Sequence, residues 1–322
     1  MQEQVPSVDL SAPGDDPPPS AVAPGSRDVV ARRLGLLRAE LARRGLAGFV
    51  VPLADEHQGE YLPPRAQRLT WLTGFTGSAG QAAVLADAAA IFVDGRYTLQ
   101  VRDEVPVDLL TPRHVADEPL AAWLQGRLGP GDRFGYDSWL HTPAQVGRLK
   151  AAVEGVGGTL VAVDGNPLDA VWAGQPGPPR APVHAHPLVH AGETAAAKRL
   201  RIADLLAPAG ADAAVLSAPD SIAWLLNIRG GDVPCTPFAL SFAILHRDGR
   251  VDWFVDGGKL GAEMPGHLGN GVRVEPPDAF GPAIDGLVRG GARVLADPAG
   301  APAWVFDRIA AAGGTAVAAD DP

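Results

Sequence analysis

Apolar residues first fall into a period after residue 26. Val30, Leu34, Leu37 and Leu41 recur at helical spacing, with Asp28 as the expected cap and Gly45 as the stop. The continuous apolar run Leu46–Leu53 then reads as a buried strand. A polar loop and a short helix around Trp71 follow, and then two short apolar runs, Ala82–Leu85 and Ala90–Val93, flanking Asp87. Those runs predict a hairpin. Further on, Arg133–Tyr136 and Leu160–Val163 are expected as strands separated by helical segments.

The same order then returns. A helix around Leu200–Leu206 and a strand Ala213–Leu216 repeat the opening, and Trp224-Leu225 repeats Trp71-Leu72. The turn Arg247-Asp248-Gly249 joins Ser241–Leu245 to Val251–Val255, a strong hairpin signal. Phe254-Val255-Asp256-Gly257 repeats Phe92-Val93-Asp94-Gly95, and Gly313-Gly314-Thr315 repeats Gly157-Gly158-Thr159. Arg293–Leu295 and Ala316–Ala318 answer the late strands of the first copy. The expected fold class is therefore α/β: two tandem domains, each a mixed sheet of about six strands with flanking helices. Boundaries fall at 27–172 for the first copy and 193–322 for the second. Residues 1–26, rich in Pro, Asp, Ser and Gly, are expected to be a disordered leader. Residues 173–192, rich in Pro and His, are expected to be a linker, with no packed helix or strand over Ala173–Pro187.

Composition narrows the partners. A net charge of −10 argues against nucleic acid and anionic membranes, whose phosphates call for a basic surface. No apolar run approaches a membrane span and the N-terminus lacks a signal-peptide pattern, so a cytoplasmic location is expected. The single cysteine, Cys235, excludes an intrachain disulfide and a multi-cysteine zinc site, and no base adjoins it in sequence.

Three segments invite chemistry. Asp55-Glu56-His57-Gln58-Gly59-Glu60-Tyr61 gathers carboxylates and an imidazole, groups that bind metals or move protons, although a solvated or domain-contacting loop explains them as well. Gly74-Phe75-Thr76-Gly77-Ser78-Ala79-Gly80 has Thr76 where a serine elbow needs glycine, and the wrong spacing for a dinucleotide loop. A tight turn feeding the hairpin fits it better. His184, His186 and His190 lie among prolines with no carboxylate nearby, which favours a passive linker over a metal site. Asp94-Gly95 recurs in the second copy and is expected to be structural, whereas Arg96-Tyr97 does not recur.

Taken in order, Asp55-x-His57-Gln58-x-Glu60-Tyr61, Arg68-Leu69-x-Trp71-Leu72-x-Gly74-Phe75-Thr76-Gly77-Ser78-Ala79-Gly80, Asp94-Gly95-Arg96-Tyr97 and Asp220 through Pro234 resemble the first two domains of the long, three-domain Xaa-Pro aminopeptidase, or aminopeptidase P. The resemblance spans residues 30–322 and implies two creatinase-like N-terminal domains. In that family a third, pita-bread domain holds two metal ions, usually manganese, through two aspartates, one histidine and two glutamates. It releases an N-terminal residue that precedes proline, using a metal-activated water. None of those ligands maps onto this sequence, so the expected catalytic set and metal set are empty, and the catalytic domain is expected to be absent. The resemblance implies a part that shapes the active-site entrance and takes part in homodimer contacts, serving peptide substrates with proline second. The candidates for the substrate entrance or a domain interface are His57, Glu60, Tyr61, Trp71, Phe75, Ser78, Arg96, Tyr97, Arg229 and Asp232. A free-standing binding or dimerisation module, or one subunit of a split peptidase, is the alternative.

Overall fold

In the computed structural model, which describes residues 25–322, the chain forms two sheets of six strands each. The expected leader lies, but for its last two residues, outside the described residues. The first copy runs α1 (Arg27–Arg43), β1 (Gly48–Pro52), α2 (Arg68–Thr73), β2 (Gln81–Leu85), β3 (Ala89–Val93), α3 (Gln100–Glu104), β4 (Thr111–His114), α4 (Leu120–Gln125), β5 (Arg133–Tyr136), α5 (Pro143–Glu154) and β6 (Thr159–Ala162). Its strand order is β4-β3-β2-β1-β5-β6. Only β2 is antiparallel to its neighbours; the other pairings are parallel.

The second copy is introduced by β7 (His184–Ala185) and α6 (Leu188–Ala191). It continues with α7 (Ala195–Ala203), β8 (Ala213–Leu216), α8 (Pro219–Leu226), β9 (Ile228–Arg229), β10 (Phe242–His246), β11 (Val251–Phe254), α9 (Met264–Leu268), β12 (Val272–Glu275), α10 (Phe280–Arg289), β13 (Val294–Ala296), α11 (Ala303–Ala311) and β14 (Val317–Ala318). The order β12-β11-β10-β8-β13-β14 repeats the first sheet strand for strand, again with one antiparallel strand, β10. The duplication legible in the sequence is therefore a duplication of topology.

Each sheet is covered on both faces. In the first copy α1 and α2 pack on one face through Leu34, Leu37, Leu69 and Leu72, while α4 and α5 cover the other through Trp123, Leu124 and Val153. The central strand β1 is buried along its whole length, which is why it reads as continuous apolar sequence and not as alternation. The expected helix-face residues Val30, Leu34, Leu37 and Leu41 are all buried. The helix begins one residue earlier than its expected cap: Ser26 occupies the N-cap position and Asp28 lies in the first turn, where its charge meets the positive end of the helix.

The segment after residue 173 differs from expectation. Its proline-rich start carries no regular element, but β7 pairs with β9, and Val183 is 1% exposed within the second core. Between Pro182 and Pro187 the backbone donors are free to pair, so this part of the segment belongs to the second domain.

Candidate functional site

Two copies of one fold within one chain act as an internal control. A feature that both copies share serves the fold; a feature that only one copy has is free to serve something else. Main-chain pairing fixes the correspondence. Ala47 N donates to Arg133 O in the first copy and Asp212 N to Arg293 O in the second.

Trp71 falls on the shared side. Arg33 of α1 hydrogen-bonds the Trp71 carbonyl and places its guanidinium 4.7 Å from the ring centroid. In the second copy Lys198 of α7 donates to the Trp224 carbonyl at 3.0 Å and sits 4.3 Å from that ring. A cation on the first helix caps the second helix and rests on its tryptophan in both halves. Three residues later each of these helices ends in a left-handed residue, Gly74 (φ 84°) and Asn227 (φ 50°). Asn227 replaces glycine by anchoring its side chain between Lys198 Nζ and the Glu193 carbonyl.

The Asp-Gly turns are shared as well. Asp94 accepts from Arg96 N, and Asp256 accepts from Gly258 N. The residue one further along latches the turn to the loop that precedes the hairpin. In the second copy this is Lys259, whose Nζ lies 2.6 Å from Asp232 in a buried ion pair. Asp232 also accepts from Ala181 N and Leu240 N, so this candidate is a buried structural anchor for the linker. In the first copy the equivalent latch is Tyr97 to Ser78, 2.6 Å between oxygens and open to solvent. The Ser78 bond lowers the Tyr97 phenol below its ordinary pKa.

Around that exposed latch lies a polar surface found in the first copy alone. Arg96 forks onto Asp94 and stands over the Tyr97 ring. Its guanidinium pKa is raised, first by the Asp94 bond and more weakly by nearby charges that include Glu60. Thr76 and Gln100 both hydrogen-bond Glu104. Phe75 lies beneath, fully buried and edge-on to Tyr97. Tyr61, 60% exposed, is on the surface. Arg229 is apart from this group, on β9 beside His186.

His57 has another setting. Asp55 accepts from the backbone of His57 and of Gly59, which shapes the loop. The imidazole then reaches the other domain: Nδ1 is 2.9 Å from Ser217 O, and the ring stacks on Phe242 at 4.5 Å. Beside it Trp139 stacks on Trp304 at 3.9 Å. Trp304 N donates to Ser138 O, and Ala303 N donates to His141 O.

Between the domains next to this seam lies a cleft of about 840 Å³. Arg68 forms part of its wall, 3% exposed and forked onto Asp169 at 2.8 Å. Burial opposes its charge, but Asp169, Glu56 and Asp137 leave its pKa above the usual arginine value. Its Nη1 is buried without a partner. Asp137 lines the cleft too, and burial raises its carboxyl pKa despite a bond from Asn166. The sequence motifs contained Arg68 but gave no sign of Asp137, Trp139, Phe242, Phe280 or Trp304, because distant segments bring these together.

Residues 33–171 match the creatinase/prolidase N-terminal domain, and residues 174–322 match a second form of the same domain. The chain belongs to the creatinase/prolidase N-terminal domain family. Its two creatinase-type domains are 35% identical over 261 residues to aminopeptidase P2 of Arabidopsis thaliana, covering 79% of this chain and 36% of that protein. They are 36% identical over 251 residues to a probable Xaa-Pro aminopeptidase P of Aspergillus niger, covering 77% of this chain and 41% of the relative. The chain thus spans about two fifths of the length of these curated relatives. In fold it resembles an X-prolyl aminopeptidase from Caenorhabditis elegans, described as a cytosolic enzyme with a di-nuclear active site. The TM-score is 0.81 at 24% identity, over 87% of this chain and 48% of that one. The sequence is that of an Xaa-Pro aminopeptidase-like N-terminal region.

Among the described residues, no three His, Cys, Asp or Glu side chains are placed to hold a metal ion. His186 and His190 approach within 5.9 Å, centroid to centroid, with no third ligand. A manganese pair therefore does not fit the residues described, and no chemical step is derived through it. Among the described residues no helix is long and apolar enough to cross a membrane.

Proposed function

We propose that the two creatinase-type domains are a non-catalytic part of an Xaa-Pro aminopeptidase, acting with a metal-holding domain that removes the residue preceding proline. The observation that carries this reading is the tandem match of residues 33–171 and 174–322 to creatinase/prolidase N-terminal domains in a chain that spans about two fifths of relatives called aminopeptidase P. In this reading the two manganese ions belong to the metal-holding domain. The exposed Ser78–Tyr97–Arg96 surface faces the substrate entrance or a second copy in a homodimer. Support for that surface is its restriction to the first copy, where the second copy has only a buried latch. A cytoplasmic location follows the relative described as cytosolic.

The chain alone, supplied with manganese and an Xaa-Pro dipeptide, is expected to release no amino acid. Combined with the separately produced remainder of the Aspergillus relative, it is expected to raise turnover in proportion to the amount added. Hydrolysis by the chain alone that co-migrates with it through successive columns overturns the reading.

A further inference from the structure

The two copies agree on how the tryptophan of the second helix meets its cation, and they differ on what else it meets. In the first copy Trp71 also carries a ring: Trp172 stacks on it at 5.1 Å and 19°. Trp172 belongs to the stretch that leaves β6 and runs alongside α2. That course is pinned about one helical turn earlier, where Asp169 forks onto Arg68 at 2.8 Å. Asp169 and Trp172 on the outgoing stretch thus meet Arg68 and Trp71 on α2 in the same order and at the same spacing.

In the second copy the earlier of these contacts has a counterpart and the later one is open. Ser221 stands where Arg68 does, three residues before Trp224, and the Asp321 carboxyl meets its hydroxyl. The stretch that leaves β14 therefore comes to α8 at the corresponding turn. Trp224 has Lys198 at 4.3 Å and Arg201 at 5.6 Å from its ring, yet it stays 43% exposed. Among the described residues none takes the place that Trp172 holds on Trp71.

An open tryptophan beside a fixed main chain is the kind of group that anchors an interface. Lys198 and Arg201 repel a basic side chain from it, and the flat indole favours another ring. In the first copy the covering ring comes from the stretch that leads into the next domain. The same place in the second copy accordingly falls to the next domain of the assembly and not to another copy of this chain.

We propose that the open face of Trp224 is a docking surface for the metal-holding domain, which sets an aromatic side chain on it as Trp172 is set on Trp71. The inference rests on the reading of the chain as part of a peptidase, and it adds the place where the two parts touch.

The test is hydroxyl-radical footprinting read by mass spectrometry, on the 322-residue chain and on the same chain joined at Pro322 to the remainder of the Aspergillus relative. Trp224 is expected to oxidise faster than Trp71 in the chain alone and to be protected several-fold in the joined protein, with Trp71 unchanged. Trp224→Ser is expected to lower the melting temperature of the joined protein by more than that of the chain alone, and Trp224→Phe to recover most of the difference. An unprotected Trp224 in the joined protein, or equal effects of Trp224→Ser on both proteins, overturns the proposal. So does protection that appears in the chain alone as its concentration rises, which would make the face a contact between copies. Release of amino acid from an Xaa-Pro dipeptide by the joined protein tests the parent reading separately. Turnover with Trp224 still reactive sinks this inference alone, and protection without turnover sinks only the peptidase reading.

Discussion

At the scale of single residues, the two latches separate chemistry from packing. Lys259 and Asp232 have 5% and 0% of their side chains exposed. Removing one partner of such a buried pair leaves an uncompensated charge, at a cost of about 3–5 kcal/mol. Lys259→Met is therefore expected to lower the melting temperature sharply, measured by circular dichroism. Tyr97→Phe, at the corresponding place in the first copy, breaks a solvent-exposed hydrogen bond and is expected to leave thermal stability unchanged. A second residue-scale effect concerns His141. Burial pushes its imidazole down to about 4, and Nε2 has no partner, while Nδ1 is bonded to the Asp137 carbonyl. An unfolded histidine binds its proton near pH 6.5. Between that pH and 4 the unfolded chain binds more protons than the folded one, so stability falls as pH drops through this window. The loss from His141 approaches about 3 kcal/mol and levels off below pH 4. Asp137 and Asp307, whose pKa values burial raises, act in the opposite sense at the acidic end. The comparison that isolates the histidine is His141→Asn, which keeps a donor at the Nδ1 position. Its denaturation free energy is expected to change less from pH 6.5 to 4 than that of the unaltered chain.

At the scale of elements, the copies show how one topology accepts two packings. Gly48 of β1 lies opposite Phe134 of β5, and the corresponding positions in the second sheet are Ala213 and Val294. Small faces large in one half, and intermediate faces intermediate in the other. A β-carbon on Gly48 would stand 2.3 Å from Leu85 Cδ2, 2.8 Å from Val84 O and 3.0 Å from the Phe134 ring. Gly48→Ala is expected to cost about 1–3 kcal/mol in urea unfolding. The double variant Gly48→Ala/Phe134→Val is expected to cost less than the sum of its parts, since these neighbours share one space. This is also the scale at which the sequence was most legible. Strands β8 and β5 fall on the expected residues, and the hairpins lie within one residue, because buried strands leave apolar runs that turn residues cut off cleanly. The strand β7 was not legible. Its pairing is with β9, more than forty residues away, and proline content masked it. Asp232, a candidate for the substrate entrance or a domain interface in the sequence, is a buried anchor, because only the fold brings Lys259 to it.

At the scale of the whole molecule, local motifs reported the two halves and, of their junction, little beyond His57. His57 stood out in the sequence, but its neighbours Phe242, Trp139 and Trp304 come from three separate stretches that carry no pattern of their own. The two copies meet through corresponding segments, the stretch between β5 and α5 in the first and the start of α11 after β13 in the second. Beside these rings, two main-chain bonds cross the seam, Trp304 N to Ser138 O and Ala303 N to His141 O. Such bonds depend on the course of the main chain and are indifferent to which side chains decorate it. It follows that halves taken from different relatives should mate. A hybrid joining residues 1–172 of this chain to the second half of the Aspergillus protein is expected to unfold in one cooperative transition by calorimetry, while two separate transitions would show that the partners do not recognise each other. Inheritance could then shuffle the leading and trailing halves of such proteins as interchangeable cassettes, provided that the few rings stacked across the seam travel with them.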